Sequence, residues 1–98
     1  MKITKQQNGN TLTLALEGRL DTVTAPELEE ELKASIPGAD SLVLDLSNLE
    51  YISSAGLRVL LSAHKAMMSK GGMKIVHVND VVQEVFEVTG FSDILTIE

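Results

Sequence analysis

Alternating apolar and polar residues over positions 11–17 predict a β-strand with one buried face. The apolar face of this strand is formed by Leu12, Leu14 and Leu16. Asn8-Gly9-Asn10 stands just before it and is a tight-turn signal, so residues 2–7 are predicted to form a short edge strand in a hairpin with it. After the hairpin, residues 18–21 are expected to leave the sheet.

Three segments carry apolar residues at helical spacing and are predicted helices. The first is expected to begin at Thr24, with Pro26 in its first turn and Glu27 placed to complete a capping box. The Ile-Pro-Gly sequence at 36–38 ends it, because proline disfavours helical geometry in the residue before it.

The second helix is expected to be capped by Ser53 or Ser54 and to end at Gly71-Gly72. The third is expected to be capped by Asn79 or Asp80 and to close at Thr89-Gly90.

Three further strands are predicted between and after these helices. Residues 41–46 are apolar at nearly every position, which is typical of a central strand buried on both faces. Residues 73–78 and the short segment 94–97 are the others. Strands that alternate with single helices favour the α/β class. We therefore predict one domain over residues 1–98, with a mixed, mostly parallel sheet of about five strands and three principal helices.

Composition narrows the classes of function. The 98 residues are 44% hydrophobic and only 3% aromatic, so the core must be aliphatic, and the chain has no cysteine. A formal charge of −6 with only eight Lys and Arg argues against nucleic acid as a partner. No apolar run approaches the roughly 20 residues that span a bilayer, so we expect a cytoplasmic protein without membrane contact. No residue pattern calls for a metal or another cofactor.

The connection at 47–57 is the most informative segment, since it is polar and ends at the start of a predicted helix. Free amides and the positive end of the helix dipole collect at such a terminus, where a phosphate on a hydroxyl would be tolerated. The alternative is that Ser53 and Ser54 are ordinary helix caps and that Gly56 serves close packing.

The chain resembles the anti-sigma factor antagonists, bacterial members of the STAS domain family, over essentially its whole length. The resemblance rests on the order of five short motifs, which are individually weak and specific together. They are Gly18-Arg19-Leu20-Asp21 followed by Thr24-Ala25-Pro26-Glu27-Leu28, then Leu44-Asp45-Leu46-Ser47, then Tyr51-Ile52-Ser53-Ser54-Ala55-Gly56-Leu57, and finally Gly90-Phe91.

The resemblance implies a STAS fold without catalysis of its own and a function in partner switching. By this resemblance, the unphosphorylated form is expected to bind an anti-sigma factor that is also a serine kinase of the GHKL type, and thereby to free the sigma factor. The resemblance further implies that phosphorylation two residues before the helix glycine, here at Ser54, abolishes binding and that a PP2C-type phosphatase restores it. The free protein is expected to be a monomer.

The resemblance also implies which residues contact the partner. They are Asp21, Thr24, Ser53, Ser54, Ala55, Gly56 and Leu57. In many relatives an aspartate precedes the acceptor; here Ser53 stands there and is the second candidate acceptor after Ser54. Asp21 has an alternative role as a turn-forming Asx residue, and Thr24 is interpreted mainly as a helix cap.

Two other functions compete with this one. A constitutive STAS scaffold in a signalling or lipid-transport assembly would use Ser54 only as a cap. A hydrolase with Ser54 as nucleophile and His64 as base lacks a third group to orient the histidine. His64 fits better as a packed or half-exposed residue of the second helix, and His77 falls in a strand pattern.

Overall fold

The computed structural model describes all 98 residues. The strands are β1 (Lys2–Asn8), β2 (Thr11–Leu20), β3 (Ser41–Ile52) and β4 (Met73–Val76), and the helices are α1 (Ala25–Ser35), α2 (Ser54–Met67) and α3 (Asp80–Val88). Two short 3-10 helices, Ile36–Gly38 and Phe91–Asp93, follow α1 and α3.

The sheet has the strand order β1-β2-β3-β4. β1 and β2 are antiparallel, whereas the β2/β3 and β3/β4 pairs are parallel. Gly9 occupies the first position of the two-residue hairpin loop with φ +62°, a conformation that glycine adopts without steric cost. The predicted hairpin, α/β class and three helices are therefore confirmed.

The core lies on one face of the sheet. Leucines alternate along β2 and β3 as the sequence pattern requires, and the buried ones are at most 1% exposed. α2 and α3 contact β3, α1 packs on α2, and the 23 buried apolar residues form one cluster. On the opposite face Val43 and Asp45 remain partly exposed, so the prediction that β3 is buried on both faces was wrong.

The sheet has four strands, not five. Residues 94–97 make only an isolated bridge in which the amide of Ile75 donates to the carbonyl of Thr96 and the amide of Glu98 to that of Ile75, each at 2.8 Å. The chain leaves α3 through the 3-10 helix Phe91–Asp93 and reaches β4 only at its last residues. β4 ends at Val76, two residues earlier than expected, because His77 takes a left-handed conformation with φ +59°.

β2 and β3 are longer than expected. Residues 18–20 stay in the sheet, and residues 47–52, expected as a loop, extend β3. The pairing continues because two register shifts, at Ala15/Glu17 and Gly18/Arg19, absorb extra residues of β3. Both strands therefore end side by side, with Leu20 opposite Ile52.

Candidate functional site

The candidate site forms where β2 and β3 end at the same edge of the sheet. The amide of Ser53 donates to the carbonyl of Leu20 at 2.9 Å, which joins the two chain segments as they leave the sheet. The turn at Asp21 and the start of α2 at Ser54 consequently lie next to each other. Motifs separated by some thirty residues in sequence thus meet on one surface.

Ser53 and Ser54 have different environments. Ser53 is the N-cap of α2, and its hydroxyl oxygen accepts a long hydrogen bond of 3.5 Å from the amide of Gly56. Ser54 is the first helical residue and is exposed, and its hydroxyl forms no hydrogen bond within the protein. The capping role therefore belongs to Ser53, and the hydroxyl of Ser54 faces solvent.

The electrostatic environment of Ser54 is compatible with added negative charge. The first turn of α2 contains no acidic residue, and its amides and helix dipole favour an anion. A phosphate at Ser54 would not need to replace any hydrogen bond of the fold.

Two residues of the expected contact set are buried. Gly56 packs so closely on β2 and β3 that a Cβ there would lie 2.7 Å from Leu20 Cγ and 2.9 Å from Ile52 Cγ1. Leu57 is only 4% exposed. Both therefore set the position of α2 against the sheet, whereas Ser54 and the half-buried Ala55 are the residues of this turn that a partner can touch.

Asp21 and Thr24 form a hydrogen-bonded turn before α1. Oδ1 of Asp21 accepts from the amides of Val23 at 3.0 Å and Thr24 at 3.2 Å. Oγ1 of Thr24 accepts from the amide of Asp21 at 2.9 Å and donates to the carbonyl of Arg19 at 2.7 Å. The hydrogen bond from the Thr24 amide, together with that from Val23, lowers the pKa of Asp21.

The prediction that Thr24 caps α1 in a capping box was wrong. Its hydroxyl makes no capping hydrogen bond, because it is engaged with the backbone of Asp21 and Arg19. Its amide already donates to Asp21, so Glu27 has no capping-box hydrogen bond to form there. Asp21 is thus the Asx residue that organises the entry into α1.

The sequence matches the family described as Mlab, STAS domain, over residues 3–96. The chain belongs to the STAS domain family. The family resemblance inferred from the five motifs is thereby confirmed.

Three known proteins illustrate this similarity. BtrV of Bordetella bronchiseptica, provisionally named an anti-sigma factor antagonist, is 38% identical over 99 residues, covering 99% of this chain and 85% of BtrV. The anti-sigma-B factor antagonist of Bacillus subtilis is 29% identical over 93 residues, covering 94% of this chain and 85% of that protein. The structure of the phosphorylated form of the Bacillus cell fate determinant SpoIIAA superposes with a TM-score of 0.76 at 14% identity, covering 99% of this chain and 91% of SpoIIAA.

The predicted contact set does not include three residues that lie at the surface beside this site: Arg19, Tyr51 and Val23. The guanidinium of Arg19 lies over the ring of Tyr51, 4.4 Å from its centroid, and the Nε of Arg19 is 4.0 Å from Oδ2 of Asp21. Arg19 and Tyr51 are paired across β2 and β3. The predicted strands ended before both residues, so this pairing could not be expected. Val23 is 81% exposed between polar neighbours. An apolar β-branched residue inside a polar turn is the sequence feature that could have indicated this exposed position.

The histidines of the STAS domain lie away from this site. His64 follows Ser54 by ten residues in the same helix, about 15 Å along its axis, which is too far for the hydrogen bond of a nucleophile and its base. His77 Nδ1 is 3.1 Å from Oδ1 of Asp45 at the end of β4. No three acidic, histidine or cysteine residues are grouped as metal ligands.

None of the helices combines the length and apolar character that crossing a membrane requires.

Proposed function

We propose that this STAS domain, acting as one unit over residues 1–98, is an anti-sigma factor antagonist whose binding is controlled by phosphorylation of Ser54. The unphosphorylated monomer binds an anti-sigma factor that is a serine kinase of the GHKL type and so releases the sigma factor. Phosphorylation of Ser54 ends this binding, and a PP2C-type phosphatase restores it. The names of the B. bronchiseptica and B. subtilis relatives support the antagonist function.

The observation that carries the proposal is the division of roles between two adjacent serines. Ser53 caps α2, whereas the exposed Ser54 contributes no side-chain hydrogen bond to the fold. A kinase can therefore modify Ser54 without removing a stabilising contact. Ser53 is the second candidate acceptor, since its modification would disrupt the hydrogen bond that caps α2.

Electrostatics explains how one phosphate can switch the binding. A phosphoserine brings about −1.5 to −2 charges and three acceptor oxygens to a surface formed by the first turn of α2 and the Asp21 turn. A partner surface that matches the neutral hydroxyl would then face a charge without a counterpart, which typically costs about 2–5 kcal/mol in an interface. SpoIIAA, whose structure is known in a phosphorylated form, supports the idea that this fold accepts such a modification.

Phosphosite mapping in the bacterium that produces the protein tests the assignment. Trypsin releases residues 34–58 as one peptide, which contains both candidate serines. We expect a single phosphate on Ser54, lost in Ser54→Ala and retained in the matched variant Ser53→Ala. A peptide that stays unmodified under every growth condition would contradict the switch and favour a constitutive scaffold of the same fold.

A further inference from the structure

A cavity of about 300 Å³ lies between α1 and α2, next to the start of α2. Its walls include Thr22 and Pro26 at the entry to α1, and Ala55 and Arg58 from α2. Ala55 directly follows the proposed phosphoacceptor. The cavity is a groove open to solvent, and its wall therefore begins one residue away from Ser54.

Arg58 follows Ser54 by four residues in α2 and lines this cavity. Residues four apart on a helix are separated by about 6 Å along the axis and about 40° around it, so they are neighbours on one face. Arg58 lines the cavity, and its side chain is exposed. A phosphate on Ser54 and the guanidinium of Arg58 can thus meet at the mouth of the cavity.

The guanidinium of Arg58 has no competing partner in the protein. The ion pairs of the protein use other cations: Lys5, Arg19, Lys33, Lys74 and His77. Glu29, the acidic residue of the cavity wall, is paired with Lys33 at 3.5 Å. Asp21, on the neighbouring turn, is paired with Arg19 at 4.0 Å.

We infer that Arg58 holds the phosphate of the Ser54-phosphorylated domain against α2, at the mouth of the cavity between α1 and α2. This inference rests on the proposed function, because it concerns the product of that modification. Arg58 acts as a positioning residue: its fork of N–H donors binds phosphate oxygens in pairs, which fixes the group in one orientation. The phosphate then presents a defined anionic surface in place of a mobile one.

Titration of the phosphate by 31P NMR tests this role. Phosphoserine is inserted at position 54 by an expanded genetic code, so that no kinase is needed, into the parent, Arg58→Met and Arg58→Lys. Lys65→Met is the matched control, because Lys65 is an exposed cation two turns further along α2 without an ion pair. Urea unfolding of each unmodified variant verifies that the fold is retained.

A free phosphoserine has a second pKa of about 6. We expect this pKa to lie about half a unit higher in Arg58→Met than in the parent, with Arg58→Lys between them and Lys65→Met equal to the parent. Since the helix dipole acts equally in all four proteins, the difference in the phosphate pKa between the parent and Arg58→Met reports the effect of the Arg58 charge. In 1 M salt, where the Debye length is about 3 Å, the difference should shrink.

The inference is overturned if Arg58→Met titrates like the parent, or if Lys65→Met shifts the pKa as much as Arg58→Met does. Because the phosphate is installed without a kinase, this result is independent of whether cells modify Ser54. An unmodified Ser54 in cells would contradict the proposed function alone, and an unshifted titration would contradict the role of Arg58 alone.

Discussion

At Gly56, the space that a side chain would need is filled by Leu20 and Ile52. A Cβ at this position would lie 2.7–3.0 Å from atoms of these two residues. We therefore expect Gly56→Ala to lower the free energy of unfolding by about 1–3 kcal/mol, the usual cost of overpacking a core. Urea denaturation monitored by circular dichroism measures this change.

Gly38 provides the control for that substitution. A Cβ there would meet no atom within 4 Å, and its φ lies outside the left-handed region. Gly38→Ala should change the free energy of unfolding by less than about 1 kcal/mol, with stabilisation the expected direction. Equal losses of unfolding free energy in both variants would contradict close packing of α2 against the sheet as the cause of the effect at Gly56.

Asp21 should make the stability of the domain depend on pH. Its pKa is lowered in the folded state, chiefly by the hydrogen bond from the Thr24 amide. A lowered folded pKa means that the stabilisation is present above the unfolded value, near 3.8, and is lost as the pH falls through the folded value. We expect Asp21→Asn to be less stable than the parent at pH 7 and the difference to fade below about pH 4.

Urea midpoints at pH 7 and pH 3 for the two proteins measure this effect. Asparagine keeps an oxygen that can accept from the amides of Val23 and Thr24, so the comparison reports the carboxylate charge. A stability difference that is the same at both pH values would contradict ionisation of the Asp21 carboxylate as its cause.

Some residues of the site could be predicted from the sequence and others could not. The position of Ser54 at the start of a helix follows from local patterns, because caps and glycine stops act within a few residues. The capping box at Thr24 was wrong, since the competing hydrogen bonds come from Asp21 and Arg19 in a turn whose shape depends on the end of β2. The role proposed for Arg58 could not be predicted from the sequence, because it depends on the groove between α1 and α2.

Among the helices, the residues that cap α2 and α3 differ in the number of hydrogen bonds that their side chains form. The side chain of Ser53 makes only the 3.5 Å hydrogen bond to the amide of Gly56. The side chain of Asn79 accepts from the amide of Val82 at 2.9 Å and donates to the carbonyl of Leu49 in β3 at 2.7 Å. Asn79→Ala should therefore cost about 1–3 kcal/mol and Ser53→Ala about 0.5–1 kcal/mol. Equal costs, measured by urea denaturation, would contradict a second role of Asn79 in tying α3 to the sheet.

The strands show where sequence patterns stop being sufficient. Strict alternation of leucines located the first parts of β2 and β3 correctly. Beyond Leu46 the buried positions are Leu49 and Ile52, three residues apart rather than two, because the register shifts change the period. A prediction based on alternation therefore ended both strands too early. It assigned residues 47–52, which lead into the site, to a loop.

At the scale of the whole molecule, Lys70 links distant segments. Its Nζ donates to the carbonyls of Ile36 and Ala39, each at 2.7 Å, and of Pro37 at 3.3 Å. The turn after α2 is thereby tied to the 3-10 helix Ile36–Gly38 that follows α1. We expect Lys70→Met to lower the free energy of unfolding by about 1–2 kcal/mol. Lys65→Met, which removes an exposed lysine without such contacts, should leave it within about 0.5 kcal/mol; equal losses would contradict the link.

Titration calorimetry with the cognate anti-sigma factor measures whether a phosphate on Ser54 switches binding. The unmodified domain and the domain carrying phosphoserine at position 54 are compared under the same conditions. We predict that the phosphate weakens binding by about 100-fold or more, which corresponds to about 2.7 kcal/mol. Equal affinities of the two forms would contradict a switch at Ser54.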